Sequence, residues 1–382
     1  MRILILNHEY PPVGGGGGQA AQDIAKELTR RGNEITIITA HLKGLPLDEM
    51  VENIHILRLP SLRKYPYQAG FLAMGMYILA AIRAGLSLIP RWRPDLIHVH
   101  FAVPAGAAAW TLSRLTGIPY VLTAHLGDIP GGVPEKTGRW FRWVFPFTIP
   151  IWRGAARVTT VSEYTRTLIQ QNYSINPIVI PNGINMGQVN SAELRVHRPP
   201  VVIFAGRFMP QKNLLELVET LALVQDLSWK CIMLGDGPLF DDIKRAIAAH
   251  QLEERFQLPG WVTTKEVMAC LAQSDLLFMP SLSEGLPVVG LQALSMGLAI
   301  VASRTGGNVD LVEQGSNGFL ADSGDREAFS SALRSFLSDR ATLLNARRAS
   351  LDRARRYDIR TVADQYETIF REIVSDRKTR FP

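Results

Sequence analysis

The sequence predicts an α/β protein built of two doubly wound parallel sheets in tandem, and three observations predict it. First, 382 residues suffice for two domains of about 100 to 200 residues each. Second, short apolar runs alternate with longer segments of helical periodicity from the first residue onward, which is typical of strand–helix–strand units. Third, the alternation stops in the polar segment from Pro181 to Pro200 and restarts at Val201, which indicates a linker.

The elements follow from the apolar runs in chain order. In the first half, strands are predicted at residues 2–7, 34–39, 54–59, 96–100, 120–123, 157–161 and 177–180. Helical patterns between them cover residues 20–31, 68–89, 104–116, 139–153 and 163–171. After the linker, strands are predicted at residues 201–205, 230–234, 256–258, 276–279, 299–302 and 318–320. We expect an N-terminal domain at 1–185, a linker at 186–200, a C-terminal domain at 201–360, and a last helix at 361–382 that could pack back on the N-terminal domain.

Composition excludes several classes of protein. The chain is 47% apolar and 20% charged, which argues against disorder, collagen-like repeats and a multi-span membrane protein. The two cysteines, Cys231 and Cys270, can build neither a disulfide framework nor a cysteine-ligated zinc site. The N-terminal apolar run is too short for a secretory signal, and the longest run, residues 69–82, is shorter than the roughly 20 residues of a membrane span. We therefore expect a cytoplasmic protein.

The net charge of +6 is concentrated in the first half of the chain. Residues 1–195 hold 19 Lys and Arg against 12 Asp and Glu, whereas the remainder holds 22 against 23. The basic half indicates attraction to an acidic lipid surface, a nucleic acid or a phosphorylated acceptor, unless it only keeps the domain soluble. A second basic stretch, at residues 347–356, is expected to be a solvated helix face.

The apolar helix predicted at residues 68–89 has two interpretations. Five cations lie near it in the sequence: Arg58, Arg63, Lys64, Arg91 and Arg93. An apolar helix framed by cations could rest on the inner face of an anionic membrane, in a peripheral enzyme that acts on a lipid-linked acceptor. The simpler interpretation is a core helix with solvated ends.

A run of five glycines, Gly14 to Gly18, follows the first strand and leads into an amphipathic helix. Such a loop lets backbone N–H groups and the helix dipole approach an anion or a sugar closely. It is not a dinucleotide fingerprint, because no acidic residue closes the second strand, and it is not a P-loop, because no Lys-Ser or Lys-Thr follows. A flexible hinge is the alternative interpretation.

Two cations follow the first strand of the second domain. Arg207 comes directly after the strand, and Lys212 lies five residues later, where a helix begins. Arg through its bidentate fork and Lys as a point charge suit a diphosphate. A solvated basic pair is the alternative.

A carboxylate follows the fourth strand of the second domain. Glu284 precedes Gly285 and Pro287 at the start of an apolar helix. A carboxylate in this position can hold sugar hydroxyls, while the N–H groups of the helix start take phosphate oxygens. The alternative is an ordinary acidic residue at a helix start.

At this point the sequence resembles the retaining glycosyltransferases of family 4, which have the GT-B architecture of two Rossmann-like domains facing a cleft. Seven segments match in order and span nearly the whole chain: PPVGGGG from Pro11, TAHLGD from Thr123, VTTVSEYT from Val158, PNGIN from Pro181, AGRFMPQKN from Ala205, LGDGP from Leu234 and SEGLPVVGLQALSMGLAIVAS from Ser283. The ordered set is far more specific than any one segment.

The resemblance implies transfer of a sugar from a nucleotide diphosphate donor with retained anomeric configuration, in polysaccharide or glycoconjugate biosynthesis. It gives catalytic roles to four residues: His125 near sugar and acceptor, Arg207 and Lys212 on the diphosphate, and Glu284 on the sugar hydroxyls. The donor site that it implies comprises Gly15, Gly16, Gly17, Gly206, Arg207, Lys212, Gly235, Val262, Glu284, Leu286, Pro287, Val288 and Gln292. Gly15 and Asp128 are the acceptor-side candidates.

One position departs from the family. Members usually have a second Glu eight residues after the first, on the donor ribose, and this chain has Gln292 there. A glutamine can accept a hydrogen bond from one ribose hydroxyl and donate one to the other, without a charge. The departure therefore bears on donor affinity and nucleotide preference rather than on catalysis.

No metal or other cofactor is expected. The chain contains no Asp-x-Asp triplet, and fixed cations with helix N–H groups can stabilise a departing diphosphate without a metal. His98 and His100 point to one face of a strand, but the sequence places no third ligand beside them. The donor is expected to carry UDP rather than GDP, with a glycan or lipid-linked acceptor contacted by the loops at 42–50 and 129–138. No nucleic acid is expected as partner. A nucleotide-sugar-binding protein without transfer activity and a nucleotide-sugar epimerase are the alternative functions.

Overall fold

The computed structural model describes residues 1–66, 69–133, 138, 141–186 and 193–380, apart from the side chains of residues 142 and 378–380. The chain forms two compact units. The N-terminal unit comprises Met1–Gly183 and Ile359–Pro382, and the C-terminal unit comprises Ile184–Asp358. Parts of four predicted segments lie outside the described residues: 187–192 of the linker, 134–137 of the second acceptor loop, and the first residues of two predicted helices, Gln68 and Arg139.

An eight-stranded sheet forms the centre of the N-terminal unit, in the order β3-β4-β2-β1-β5-β6-β7-β8. Its strands are β1 (Arg2–Leu6), β2 (Glu34–Ala40), β3 (Asp48–Val51), β4 (Ile54–Leu59), β5 (Leu96–His100), β6 (Tyr120–Ala124), β7 (Arg157–Thr160) and β8 (Ile178–Val179). Neighbouring strands pair in parallel, except that β3 pairs antiparallel to β4. Strands β5 and β6 are buried along their whole length, because helices cover both faces of a parallel sheet.

Five helices of the N-terminal unit connect these strands: α1 (Gly16–Arg30), α2 (Phe71–Trp92), α3 (Ala107–Thr116), α4 (Phe141–Arg153) and α5 (Glu163–Tyr173). Helices α2, α3 and α4 share one core cluster on one face of the sheet, to which Tyr77, Leu112 and Trp152 contribute. Helix α5 begins at a capping box, in which the N–H of Thr165 donates to the Ser162 hydroxyl and the N–H of Ser162 donates to the Thr165 hydroxyl.

A six-stranded parallel sheet forms the centre of the C-terminal unit, in the order β11-β10-β9-β12-β13-β14. Its strands are β9 (Val201–Ala205), β10 (Lys230–Leu234), β11 (Phe256–Gly260), β12 (Leu276–Met279), β13 (Ala299–Ser303) and β14 (Gly318–Ala321). Its helices are α6 (Leu214–Ala222), α7 (Phe240–Ala249), α8 (Thr264–Ala272), α9 (Val288–Ser295), α10 (Asn308–Leu311), α11 (Arg326–Ser338) and α12 (Arg340–Ala354).

The last helix, α13 (Ile359–Arg380), belongs to the N-terminal unit, where it packs against α1. Its apolar residues Val362, Tyr366 and Phe370 share a core cluster with residues of α1, β1 and β2. The Arg31 guanidinium at the end of α1 donates to the Arg360 carbonyl at 2.7 Å. The chain therefore leaves the N-terminal unit once and returns to it with α13.

Two sequence expectations need correction. Helix α1 begins at Gly16 rather than at residue 20, so that three glycines form its first turn. The segment at 42–50, expected to be an acceptor loop, leads into the edge strand β3. That strand, with the sequence Asp-Glu-Met-Val, is mostly exposed and lacks the alternation by which strands are recognised.

Each sheet has one point at which the strand order reverses, between β1 and β5 in the N-terminal unit and between β9 and β12 in the C-terminal unit. In open parallel sheets, ligands bind outside the carboxyl ends of the strands at such switch points. The loops that follow these four strands are therefore the places where binding groups are expected.

Candidate active site

The switch point of the C-terminal unit brings Lys212 and Glu284 together. Lys212 ends a short 3₁₀ turn after β9, and Glu284 lies in the loop after β12. The Lys212 Nζ donates to Glu284 Oε1 at 2.6 Å, and the two side chains are 17% and 7% exposed. Two oppositely charged groups at the carboxyl ends of adjacent strands can hold the two ends of one ligand, the carboxylate on hydroxyls and the ammonium on an anion.

Hydrogen bonds between three loops hold Glu284 in place. The Gln211 side chain donates to the Ser283 carbonyl at 2.8 Å, and the N–H of Gly307 donates to the Glu284 carbonyl at 3.1 Å. Gly306 has a φ of +50°, and a Cβ there would lie 1.7 Å from the Glu284 carbonyl oxygen. Sequence analysis missed Gly306 and Gly307. The available signal was a Gly-Gly pair after β13, the next strand along the sheet.

The glycines after β9 and β10 also serve close packing. A Cβ on Gly235 would lie 1.8 Å from the Gly206 carbonyl oxygen, so that only glycine lets these two loops meet. Arg207, directly after Gly206, is half-buried. Val262 is half-buried in the loop after β11. Donor binding by these residues stays a prediction.

Helix α9 presents the amide groups expected beside Glu284. It begins at Val288 with Pro287 as its N-cap, without a side-chain cap and without an acidic residue in its first turn. Three residues were expected here, Leu286, Pro287 and Val288. Only Leu286 and Val288 have an N–H to donate, because proline lacks one. Gln292 is half-buried and lies four residues after Val288, about one turn along the same face of the helix.

The glycine run lies at the switch point of the N-terminal unit and is held tightly there. The N–H of Gly15 donates to the buried Glu9 carboxylate at 3.1 Å. Gly14 has a φ of +97°, and a Cβ on it would collide with the Glu9 side chain. A Cβ on Gly17 would lie 2.4 Å from the ring of Phe101, which follows β5. These contacts favour a fixed helix start over a flexible hinge. Sequence analysis missed Glu9 and Phe101.

His125 follows β6 and is buried among aromatic rings. Its ring centroid lies 4.5 Å from that of Phe101 and 5.6 Å from that of His100, onto which it stacks. The His125 Nε2 and His100 Nδ1 atoms are 3.3 Å apart. A hydrogen bond between the ring nitrogens of two buried histidines fixes the orientation of both rings. His100 therefore positions His125.

Asp128 has a contact within the N-terminal unit. Its carboxylate accepts a hydrogen bond from the N–H of Ala102 at 2.7 Å, and the side chain is buried. This bond holds the irregular turn after Phe101, whose own φ is +71°. The contact accounts for Asp128 structurally, and acceptor binding by Asp128 and Gly15 stays a prediction.

Burial keeps the strand histidines neutral. Burial lowers the pKa of His98 to about 3 and lowers that of His100 well below its ordinary value. The His98 Nε2 bonds to the Thr123 hydroxyl at 2.8 Å, which in turn lies 3.2 Å from the Tyr366 hydroxyl of α13. In the part of the chain that the structure describes, no group of three or more His, Cys, Asp and Glu side chains is arranged to hold a metal ion.

These lowered pKa values predict that acid destabilises the protein. Below about pH 6.5 the unfolded chain binds protons that native His98 and His100 do not bind, so that the free energy of unfolding decreases from about pH 6.5 towards pH 3. In chemical denaturation between pH 6 and 4.5, His98→Gln should reduce the slope against pH by about 1.4 kcal/mol per pH unit. The exposed His250 provides the control, since His250→Gln should leave the slope unchanged. An unchanged slope in His98→Gln would show that this imidazole titrates alike in both states.

Comparison with known families gives two consecutive matches. The family model described as Glycosyltransferase Family 4 matches residues 14–188, and the one described as Glycosyl transferases group 1 matches residues 188–356. The first match includes the glycine run and His125, and the second includes Arg207, Lys212 and Glu284.

Known proteins resemble the chain along its whole length. N-acetyl-alpha-D-glucosaminyl L-malate synthase of Bacillus anthracis is 26% identical, and the alignment covers 99% of each chain. Sucrose-phosphate synthase of Thermosynechococcus elongatus superposes with a TM-score of 0.84 at 17% identity, covering 98% of this chain and 100% of that one. The Anabaena protein HepE, solved with UDP and glucose, gives a TM-score of 0.77 at 21% identity over 97% and 100% of the two chains. The structural matches establish the GT-B fold, and together with the family matches they show that the chain belongs to family 4 of the glycosyltransferases, enzymes of nucleotide-sugar-dependent glycosyl transfer.

Proposed function

We propose that this glycosyltransferase moves a sugar from a UDP-sugar to a glycan or lipid-linked acceptor, with retained anomeric configuration and without a metal ion. The observation that carries the proposal is the Lys212–Glu284 pair at the switch point of the C-terminal unit. UDP is favoured as the donor nucleotide because HepE, which shares the fold, was solved with UDP and glucose. The protein would act in the cytoplasm, where nucleotide sugars are the donors for glycosyl transfer.

The reaction needs stabilisation of negative charge. The bond between the anomeric carbon and the β-phosphate oxygen breaks, and charge accumulates on the departing diphosphate. Lys212 and Arg207 would neutralise this charge, together with the amides of Leu286 and Val288 at the start of α9. These groups are held by the fold before substrate binds, so that little reorganisation is needed in the transition state.

Retention would follow from attack on the face that the diphosphate leaves. The acceptor oxygen bonds to the anomeric carbon, and its proton passes to the departing phosphate oxygen. Glu284 would accept hydrogen bonds from the sugar hydroxyls and keep the ring in place, while Gln292 would bind the ribose hydroxyls without a charge. His125, with its ring fixed by His100, would contact the sugar and the acceptor.

The experiment begins with a thermal unfolding screen against nucleoside diphosphates and their sugars, because a ligand at 100 times its Kd adds about 2.7 kcal/mol of stability. The stabilising donor is then incubated with glycan and lipid-linked acceptors in the presence of EDTA. We expect product whose anomeric proton signal in NMR has the configuration of the donor, at a rate that EDTA does not change. An inverted product or a strict need for a divalent ion would contradict the proposal.

The same experiment also tests two other functions, the first of which the departure at Gln292 suggests. A protein that binds the donor but neither hydrolyses nor transfers its sugar would be a nucleotide-sugar-binding protein. Conversion of the sugar without any acceptor would instead indicate an epimerase. Donor consumption that depends on acceptor supports transfer and excludes both.

A further inference from the structure

Helix α2 has an exposed apolar stripe in addition to its buried one. Its buried side comprises five residues at every fourth position: Ala73, Tyr77, Ala81, Gly85 and Ile89. On the opposite side, Leu72, Met76, Leu79 and Leu86 face outward at spacings of four, three and seven residues, which places them on one face of the helix. Leu72 and Leu79 are 69% and 66% exposed.

Helix α2 is too exposed for an ordinary core helix. Among the described residues it is the one helix with the length and apolar composition of a membrane span, yet only 28% of its most apolar 18-residue window is buried. Its other side is firmly attached to the unit, because the Tyr77 hydroxyl donates to the Ile38 carbonyl of β2 and Gly85 abuts Leu112 of α3. A spanning orientation would break these contacts. The helix is therefore suited to lying along a membrane surface.

Helix α4 adds a second exposed apolar stripe to the same layer. Trp143 and Phe147 are 75% and 77% exposed, and Pro146 and Pro150 are exposed on the same side. The buried sides of α2 and α4 both pack against the turn at 102–106 and share one core cluster. Both stripes consequently face away from the same side of the sheet. We call this surface, formed by the outward residues of α2 and α4, the α2–α4 face.

The charges on α2 and α4 have one sign. Helix α2 contains Arg83 and Arg91, both exposed, and no Asp or Glu. Of the nearby cations, Arg58 and Arg63 do not add to this charge, because both are buried in ion pairs. Helix α4 likewise contains arginine but no Asp or Glu. Exposed aromatic and aliphatic side chains accompanied only by cations are the composition of helices that lie in the interface of anionic membranes.

We propose that the α2–α4 face binds the surface of an anionic lipid bilayer, with α2 and α4 lying in the plane of the interface. The Leu and aromatic side chains would enter the boundary between headgroups and acyl chains, while Arg83 and Arg91 would bind lipid phosphates. A second copy of this chain is a poorer occupant, because a symmetric dimer through this face would bring like charges together. The proposal gives the enzyme access to a membrane-borne acceptor, but it does not depend on the donor site.

The test is cosedimentation of the full chain with vesicles of phosphatidylglycerol and phosphatidylcholine, compared with vesicles of phosphatidylcholine alone. We expect binding to the anionic vesicles at low salt, weaker binding at high salt, and little binding to the neutral ones. The double variant L79E/F147E should reduce the bound-to-free ratio at least about tenfold, since it places two carboxylates in the interface. L223E changes a leucine of the C-terminal unit that is 52% exposed, and this variant should bind like the unchanged protein.

Three outcomes would overturn the proposal: no sedimentation with anionic vesicles at low salt, equal binding by L79E/F147E, or a dimer that this variant dissociates. A cooperative thermal unfolding transition, measured on the same variants, shows that they are folded, and its shift with UDP reports on the donor site. Because that readout involves the donor site and the vesicle assay does not, failure of membrane binding and failure of the proposed transfer reaction are distinguishable.

Discussion

Lys212→Met is expected to reduce turnover of the nucleotide sugar by roughly a thousandfold, the loss typical for removal of a preorganised group that stabilises transition-state charge. Methionine keeps most of the length of lysine but cannot neutralise the departing diphosphate or bond to Glu284, which Lys212 contacts at 2.6 Å. The measurement is release of UDP from the donor, with and without acceptor. Glu284→Gln should also lose most activity, because the neutral amide binds sugar hydroxyls less strongly than the carboxylate.

The control for this prediction is Lys265→Met, which removes an exposed lysine of the same unit. It should turn over like the unchanged protein. Unfolding curves for all three variants establish that the loss is chemical, since a cooperative transition is expected in each. Near-normal UDP release by both Lys212→Met and Glu284→Gln would contradict the site assignment.

Arg347→Met is expected to have the largest effect on stability. The Arg347 guanidinium forms a fully buried ion pair with Asp275, and it also donates to the carbonyls of Gly297 and Arg195 at 2.7 and 2.6 Å. Asp275 in turn accepts from the N–H of Val201 at the start of β9. Removing the arginine leaves the buried carboxylate with hydrogen bonds from Val201 and His197 but without its arginine cation, which costs about 3 to 5 kcal/mol. For a unit of this size, the midpoint of thermal unfolding should fall by roughly 10 °C.

The neighbouring Arg348 provides a matched comparison, because it lies on the same helix but is exposed. Arg348→Met should change the free energy of unfolding by less than about 0.5 kcal/mol. Equal midpoints for Arg347→Met and the unchanged protein would show that the buried pair contributes nothing to stability. The structure also corrects the expectation for residues 347–356: Arg347 is part of the core contacts of the C-terminal unit and not of a solvated face.

Most of the fold could be predicted because parallel strands buried on both faces appear as short apolar runs, as in β5, β9 and β13. Elements without that signal were missed or misplaced. Strand β3, an exposed edge strand of four residues without alternation, was missed. The start of α1 was placed too late, because glycine has a low intrinsic helix propensity, and its contacts with Glu9 and Phe101 hold the first turn.

The site was predictable only in part. Arg207, Lys212 and Glu284 were predicted from their positions after strands and from the resemblance to a family, but spacing alone cannot show that Lys212 meets a residue 72 positions away. The roles of residues that act by position were not predicted. Gly306 supports Glu284 through a close backbone approach, and His100 meets His125 only because β5 pairs with β6. Such roles depend on sheet order and register, which a single sequence does not specify.

Calorimetric titration of UDP and of uridine into the unchanged protein and into Lys212→Met tests most directly whether the C-terminal unit binds its donor through the diphosphate. The account predicts that UDP binds the unchanged protein far more tightly than uridine does, and that Lys212→Met weakens UDP but not uridine. Equal affinities for the nucleoside and the diphosphate, or an unchanged UDP affinity in Lys212→Met, would contradict it.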